Sequence, residues 1–473
     1  MRSLFLQGPS FDGYDGGAGA RYQMKREVKS FWYPTWLAQP AALVEGSKLI
    51  DAPAHDLSWD DIAHEVDDKD LVVLHTSTPS FRQDIRTAEL IKARNPKALI
   101  GMIGAKVAVE TQKSLEASTA IDFVCRNEFD FTIKDVADGI PLADIAGISF
   151  RNAAGEIVNN PDRPVIMDMD TLPWVTPIYK RDLDHTKYFG GYLLHPYISF
   201  YTGRGCKSRC TFCLWPQTVG GHNYRTRSIE NVVEEVKYTI KTWPDLKEIF
   251  FDDDTLTDNA PRVEALAREL GKLGVTWSCN AKANVPRKTL EIMKAGGLRL
   301  LLVGYESGNQ QILINIKKGL RTEVARQFTK DCHDLGIVIH GTFILGLPGE
   351  TAETIEETIN YAKELNPHTI QVSLAAPYPG TFLYKQATEN GWFDNSTDLL
   401  NDDGEQIAQL SYPHLPAAQI FDAVEDFYRR YYFRFSKIKD IVWEMLRDWN
   451  MMKRRLREGV EFFEFLRHRK EAA

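Results

Sequence analysis

A chain of 473 residues is long enough for two or three domains, each with its own core. Its 43% apolar and 26% charged residues are those of a globular protein, and a net charge of −8 excludes an overall basic molecule, so nucleic acid is not an expected partner. Six cysteines in so long a chain do not make a secreted disulfide framework.

The opening MRSLFLQGPSFDG lacks the apolar core and cleavage site of a signal peptide, so reduced thiols and a cytoplasmic location are expected. Residues 10–41, SFDGYDGGAGARYQMKREVKSFWYPTWLAQPA, are rich in glycine and aromatics and suit either a tight loop over a cofactor or a flexible surface loop. SKLIDAPAHD, DLVVLHTSTPSF, a helix with apolar spacing over 84–94, NPKALIGMIGAK and AIDFVCRNEFD then alternate strand, helix and strand. They predict an open, doubly wound, Rossmann-like parallel sheet over residues 1–150. Gly101 and Gly104 in GMIG would let a ligand approach the backbone, whereas His75 reads as the end of a strand more than as a metal ligand. Residues 151–190, with NNPDRPVIMDMDTLPWVTP, read as a proline-rich linker.

Six β/α units follow over residues 195–385. HPYISFYTGRGC runs from a strand into a cysteine loop, and SIENVVEEVKYTIKTW (228–243) is a helix with Ser228 as its N-cap. LKEIFFDDDTLTD is a strand ending in carboxylates, followed by a helix over 260–273, the strand VTWSCNAKAN and a helix ending near Gly296. LRLLLVGYESG, a helix over about 322–335, GIVIHGTFILGLPGET, a helix over 352–365 and TIQVSLAAPYPGT complete the series. The fold class is therefore α/β: the Rossmann-like domain, a (β/α)6 partial TIM barrel over 191–390 with its site at the carboxyl ends of the strands, and a helical extension over 391–473. No apolar run approaches the ~20 residues that span a bilayer.

GCKSRCTFCLW (205–215) sets Cys206, Cys210 and Cys213 in a CxxxCxxC pattern. Structural zinc wants four ligands, and Cys125, Cys279 and Cys332 are isolated, so no fourth is offered nearby. Three thiolates on a short loop suit three irons of a 4Fe-4S cluster, leaving one iron open to a small chelating molecule. With Phe212 before the last cysteine, the loop resembles that of the radical S-adenosylmethionine superfamily. The resemblance implies that the open iron takes S-adenosylmethionine and that one electron, from a donor such as flavodoxin or ferredoxin, cleaves it to a 5′-deoxyadenosyl radical. Radical chemistry also fits a sequence that announces no general-base pair or nucleophile elbow.

The strand ends supply further candidates, each with a plainer alternative. Asp252 and Asp253 suit the amino group of S-adenosylmethionine or a substrate hydroxyl, or else cap a helix. Asn280 and Lys282 suit the methionine carboxylate, or are solvated. The family places residues like Glu306 and Ser307 near the ribose and methionyl parts. GLPGET, with Gly346, Glu350 and Thr351, lines an adenine pocket or is an ordinary turn.

HTSTPSF, NPKALIGMIGA and CRNEFD resemble, in that order, the cobalamin-binding domains preceding the barrel in one class of the superfamily. This implies a corrinoid near Thr76, Ser77, Gly104 and Glu128. The DxHxxG motif is absent and DAPAHD (51–56) lacks its spacing, so cobalamin is expected without a histidine on cobalt. CRNEFD departs from the usual GEGE by placing Cys125 and Asn127 there. DFVCRNEFD, FFDDDTLTD and FYRRYYFRFSKIK resemble the hopanoid-biosynthesis-associated branch, which implies a hopanoid lipid substrate whose glucosamine headgroup becomes a cyclitol ether by radical ring contraction. The alternatives are a cobalamin-dependent radical methyltransferase and, from another class, a non-catalytic iron-sulfur or zinc module. Residues 427–469 hold twelve Lys or Arg against six Asp or Glu, with Ile438, Ile441, Val442, Met445 and Trp449 at helical spacing. They suit either a peripheral contact with the inner face of an anionic membrane or packing on the barrel.

Overall fold

Two sheets, packed through one shared core, organise the chain. The computed structural model describes residues 1–12, 30–393, 399–400, 406–447 and the separate positions 452, 456, 459 and 460. The glycine-rich part of the N-terminal loop and most of the tail beyond 447, Trp449 included, lie outside the described residues.

The first sheet has the order β2-β1-β3-β4-β5-β6-β7. Its strands are β1 (Ser3–Gln7), β2 (Lys48–Asp51), β3 (Leu71–His75), β4 (Leu99–Ile103), β5 (Phe123–Cys125), β6 (Ile148–Arg151) and β7 (Ile157–Asn159). The first five are parallel, and β6 and β7 add an antiparallel hairpin. Alternation along the strands sorts the apolar side chains. Leu4, Leu6, Val72, Leu74, Ile100 and Met102 pack on one face with Ala88 and Ile91 of the helix Phe81–Arg94, while Phe5, Val73, Ile103 and Phe123 join the core shared with the barrel. Strand order reverses between β1 and β3, so a crevice opens at their carboxyl ends. β7 and the helix Thr176–Asp182 fall within the stretch that the sequence reading takes as a linker; Asn160 anchors that stretch by donating to the carbonyls of Leu142 and Ile145.

The second sheet contains β8 (Tyr197–Phe200), β11 (Glu248–Phe251), β12 (Trp277–Ala281), β13 (Leu298–Glu306), β14 (Val338–Leu345) and β15 (Thr369–Leu374), all parallel and in sequential order. It is a six-stranded partial barrel; β9 (Gly203–Arg204) and β10 (Arg225–Thr226) form a short hairpin beside it. Ser228 caps its helix by accepting from Asn231 N–H at 3.2 Å. The open edge at β15 is covered by the helix Ala417–Tyr432, whose Tyr428 and Tyr432 hydroxyls accept from the amides of Val372 and Ile370 at 2.8 and 2.9 Å. The aromatic run FYRRYY therefore packs on the barrel through Phe427, Tyr428 and Tyr431.

Candidate active site

The cysteine loop is held by its backbone, which leaves its sulfurs as the groups on offer. Gly205 takes φ +87°, where a Cβ would lie 2.3 Å from the carbonyl of Asn223, so only glycine fits the entry to the loop. Cys206 N–H donates to Gly221 O, and Gln217 Nε2 donates to the carbonyls of Cys210, Thr211 and Cys213. Cys206 and Cys210 are buried, Cys213 and Phe212 half-buried, and all six cysteines are free thiols. Burial pushes the Cys210 and Cys213 thiols up, so ligation must displace their protons and is favoured as pH rises. Among the described residues no three His, Cys, Asp or Glu side chains are placed to hold one metal ion. Cys125, Cys279 and Cys332 are buried on β5, on β12 and in the helix Thr322–Asp334.

The candidates at the strand ends divide into two groups. Asp252 is half-buried beyond β11 and accepts from Asn280 Nδ2 at 3.4 Å. The Lys282 ammonium pairs with Asp258, whose other oxygen accepts from Lys207 N–H and lies 3.8 Å from Cys206 Sγ. Glu306, held at φ +64° where β13 is irregular, pairs with Lys318 at 2.5 Å. In the sequence KKGLR looks like an ordinary surface turn, so nothing there marks Lys318 as a site residue. Burial disfavours its charge, but the Glu306 carboxylate and the Cys210 sulfur outweigh that and hold it above the usual lysine range. These groups can line a pocket beside the thiols.

The second group is turned inward and corrects the expectation of nucleoside contact. Asp253 is fully buried, its carboxylate accepting from Thr202 N–H at 2.6 Å, Thr202 Oγ1 at 2.7 Å and Tyr224 OH at 2.7 Å, so it fixes the turn after β8. Ser307 is fully buried against Thr358 Oγ1 at 3.1 Å and ties β13 to the helix Ala352–Leu365. Gly346 N–H donates to Glu350, closing the GLPGE turn on itself, and Gly346 O accepts from Tyr412 OH at 2.9 Å. Glu350 is buried and pushed up to about 8.

The carboxyl edge of the first sheet is tight and mostly uncharged. A Cβ at Gly104, φ +127°, would lie 2.1 Å from Thr76 O, so glycine is required there. Gln7 Oε1 and Ser10 Oγ, at and just beyond the end of β1, are buried without a partner among the described residues. Such orphaned polar atoms at a switch-point crevice fit a large ligand with amide side chains. His55 is tied to Asp51 O and Asp184 N–H through its two nitrogens, so it does not supply a metal ligand. Thr76 and Ser77 open a polar chain in which Ser77 Oγ meets Ser80 Oγ and Ser80 Oγ donates to Asp84 at 2.7 Å. Burial pushes Asp84 up to about 7. A carboxyl with a raised folded pKa binds more protons folded than unfolded, so its contribution falls as pH rises from about 4 to 7. Asp84→Asn is therefore expected to remove a decline on the order of 3 kcal/mol between pH 4 and 8, read as the difference between wild-type and variant urea curves at the two pH values. Parallel pH dependence in both proteins would contradict it.

Glu128 is the further correction. Its carboxylate takes both arms of the Arg225 guanidinium at 2.7 and 2.8 Å, and Arg204, two residues before Cys206, holds Asp130 at 2.6 and 3.1 Å. All four side chains are at most 4% exposed. Trp36 stacks on Trp215 at 4.6 Å beside them. The edge of the first sheet is thus clamped to the cysteine loop. The two arginines face each other across the short β9–β10 hairpin, whose two-residue strands carry no sequence periodicity that would reveal this.

Residues 200–362 match the family model described as the Radical SAM superfamily. The uncharacterized methyltransferase PH0819 of Pyrococcus horikoshii is 32% identical over 379 residues, covering 78% of this chain and 81% of its own. An anaerobic magnesium-protoporphyrin IX monomethyl ester cyclase of Rubrivivax gelatinosus is 27% identical, covering 82% and 70%. The radical S-adenosylmethionine methyltransferase TsrM of Kitasatospora setae, solved with cobalamin and a [4Fe-4S] cluster, superposes with a TM-score of 0.68 at 15% identity, covering 91% and 89%. It shares the fold.

Proposed function

Because this chain belongs to the radical SAM superfamily, we propose that it is a cobalamin-dependent radical enzyme that transfers a methyl group to carbon. One observation carries the reading: the edge of the first sheet, with its glycine-tight and orphaned polar positions, is locked against the three-cysteine loop. Cys206, Cys210 and Cys213 would hold a 4Fe-4S cluster, and Gly104, Thr76, Ser77, Gln7 and Ser10 would border the corrinoid, with no histidine on cobalt. When bound, the cluster and S-adenosylmethionine supply a radical that takes hydrogen from carbon, and cobalamin carries the methyl group. Asp252 with Asn280, Lys282 with Asp258, and Glu306 with Lys318 set opposite charges beside the thiols, suited to the amino and carboxylate groups of an amino-acid moiety. The stacked Trp36 and Trp215 help to exclude water.

The likeness to PH0819, a methyltransferase at 32% identity, supports methyl transfer over ring contraction. Anaerobic reconstitution with iron, sulfide and hydroxocobalamin tests the reading. Reductant-dependent release of 5′-deoxyadenosine and stoichiometric corrinoid are expected. A chain that binds no corrinoid on titration would refute the cobalamin part.

A second reading, action on the headgroup of a membrane lipid such as a hopanoid, is favoured by one feature. In the helix Phe435–Arg447, Phe435, Ile438, Val442 and Leu446 lie along one stripe and are 85, 43, 46 and 74% exposed, while Lys437 is buried against Pro367 O. No helix among the described residues is long and apolar enough to cross a membrane, but this one suits a shallow surface contact. Phe435→Ser with Val442→Ser and Leu446→Ser should lower cosedimentation with anionic liposomes about tenfold, leaving the fold intact. Equal cosedimentation would remove the helix as the contact.

A further inference from the structure

The outer face of the cysteine loop carries a group of exposed cations. Lys207 and Arg209, between the first two cysteines, are exposed, as are Lys317 and Arg321 in the neighbouring turn. None of the four forms an ion pair among the described residues, although the chain as a whole is at −8. Backbone bonds bring their segments together: Thr211 N–H donates to Ile316 O at 3.0 Å, and Leu383 N–H donates to Thr211 O at 2.9 Å. The second bond sets Phe382, 45% exposed, beneath the Lys317 ammonium, 4.5 Å from the ring centroid. An open hollow beside them is lined by Ile314, 57% exposed, with Lys317 and Arg321 and a single carboxylate, Glu323. Basic groups around a small apolar centre, directly over the loop that would ligate the cluster, form a surface suited to a brief, electrostatically steered encounter.

We propose that this face docks an acidic, low-potential one-electron carrier protein of the flavodoxin type. The proposal rests on the radical reading above. In the encounter the reduced carrier loses one electron and the cluster gains it, with no bond made or broken. Lys207 and Arg209 adjoin Cys206 and Cys210 in the chain, so a carrier seated on them lies beside the loop that would ligate the cluster. The charges set the rate of encounter and the orientation, and the apolar pair Ile314 and Phe382 gives the contact its dry centre.

Lys207→Glu with Arg209→Glu and Lys317→Glu tests it, with an acidic flavodoxin as the probe. Two readouts are taken: flavodoxin affinity at low and moderate salt, and the rate of S-adenosylmethionine cleavage driven by reduced flavodoxin or by dithionite. The wild-type affinity should weaken with salt. The triple variant should bind about tenfold more weakly, lose most of that salt dependence, and lose about tenfold in flavodoxin-driven cleavage while dithionite-driven cleavage stays within about twofold. Unchanged affinity and unchanged flavodoxin-driven rate overturn the proposal. Should dithionite-driven cleavage also fall, Lys317→Glu with Arg321→Glu, both outside the cysteine loop, decides by affinity alone, and an unchanged value overturns it. A wild-type chain that cleaves nothing with any reductant refutes the radical reading, while the binding measurement still judges the surface.

Discussion

Cys206→Ala, Cys210→Ala and Cys213→Ala are each expected to abolish release of 5′-deoxyadenosine, a loss on the order of a thousandfold or more, while the chain stays folded. With three thiolates for three irons, removing one leaves an iron without its ligand and the chelating iron misplaced. The fold should survive because the loop is shaped by Gly205, by the Gln217 amide and by backbone bonds, none of which involves sulfur. Replacing one sulfur by hydrogen in a loop side chain costs on the order of 1 kcal/mol. Cys279→Ala and Cys332→Ala, buried away from the loop, are the controls and should retain cleavage. Full turnover by any of the three loop variants, with matched circular dichroism and iron content, would overturn the ligand assignment.

The second large effect lies in the buried clamp. Arg204→Met should destabilise the chain by about 3–5 kcal/mol, because it leaves the Asp130 carboxyl buried and without its guanidinium partner. Arg204→Met with Asp130→Leu should recover most of that loss, since well-packed apolar replacements of a buried pair are often neutral. The coupling follows from urea midpoints of the two single variants and the double. A single-variant loss below about 1 kcal/mol would mean that water or rearrangement reaches the pair, and the two sheets would then not be rigidly joined through it. The same variant should separate S-adenosylmethionine cleavage from product formation, because the cluster loop and the corrinoid edge would no longer keep their spacing.

Much of this architecture is legible in the residues, and the parts that are not share a cause. Helices predicted over 260–273 and 352–365 match Ala260–Leu273 and Ala352–Leu365, because apolar spacing and an Asn259 or Thr351 cap are local signals. Strand β1 is not evident from the residues: SLFLQ is five residues with no turn signal before it, and only parallel pairing with β2 and β3 makes it the second strand of the sheet. Asp253, Ser307, Gly346 and Glu128 sit at strand ends as candidates should, yet their directions depend on Thr202, Thr358, Glu350 and Arg225, all distant or across a turn. Position along a strand is readable from sequence; whether a carboxylate faces a cavity or a buried arginine is decided by tertiary packing. Lys318 is the converse case, a turn lysine that packing draws in beside the thiols.

The most direct test of the account as a whole follows the methyl group. Reconstituted, corrinoid-loaded protein is turned over with S-adenosylmethionine deuterated in its methyl group and a lipid and metabolite extract as substrate, and the products are resolved by mass spectrometry. The account predicts 5′-deoxyadenosine together with a product that carries the intact trideuterated methyl. Release of 5′-deoxyadenosine with a rearranged product free of label would contradict methyl transfer and restore ring contraction.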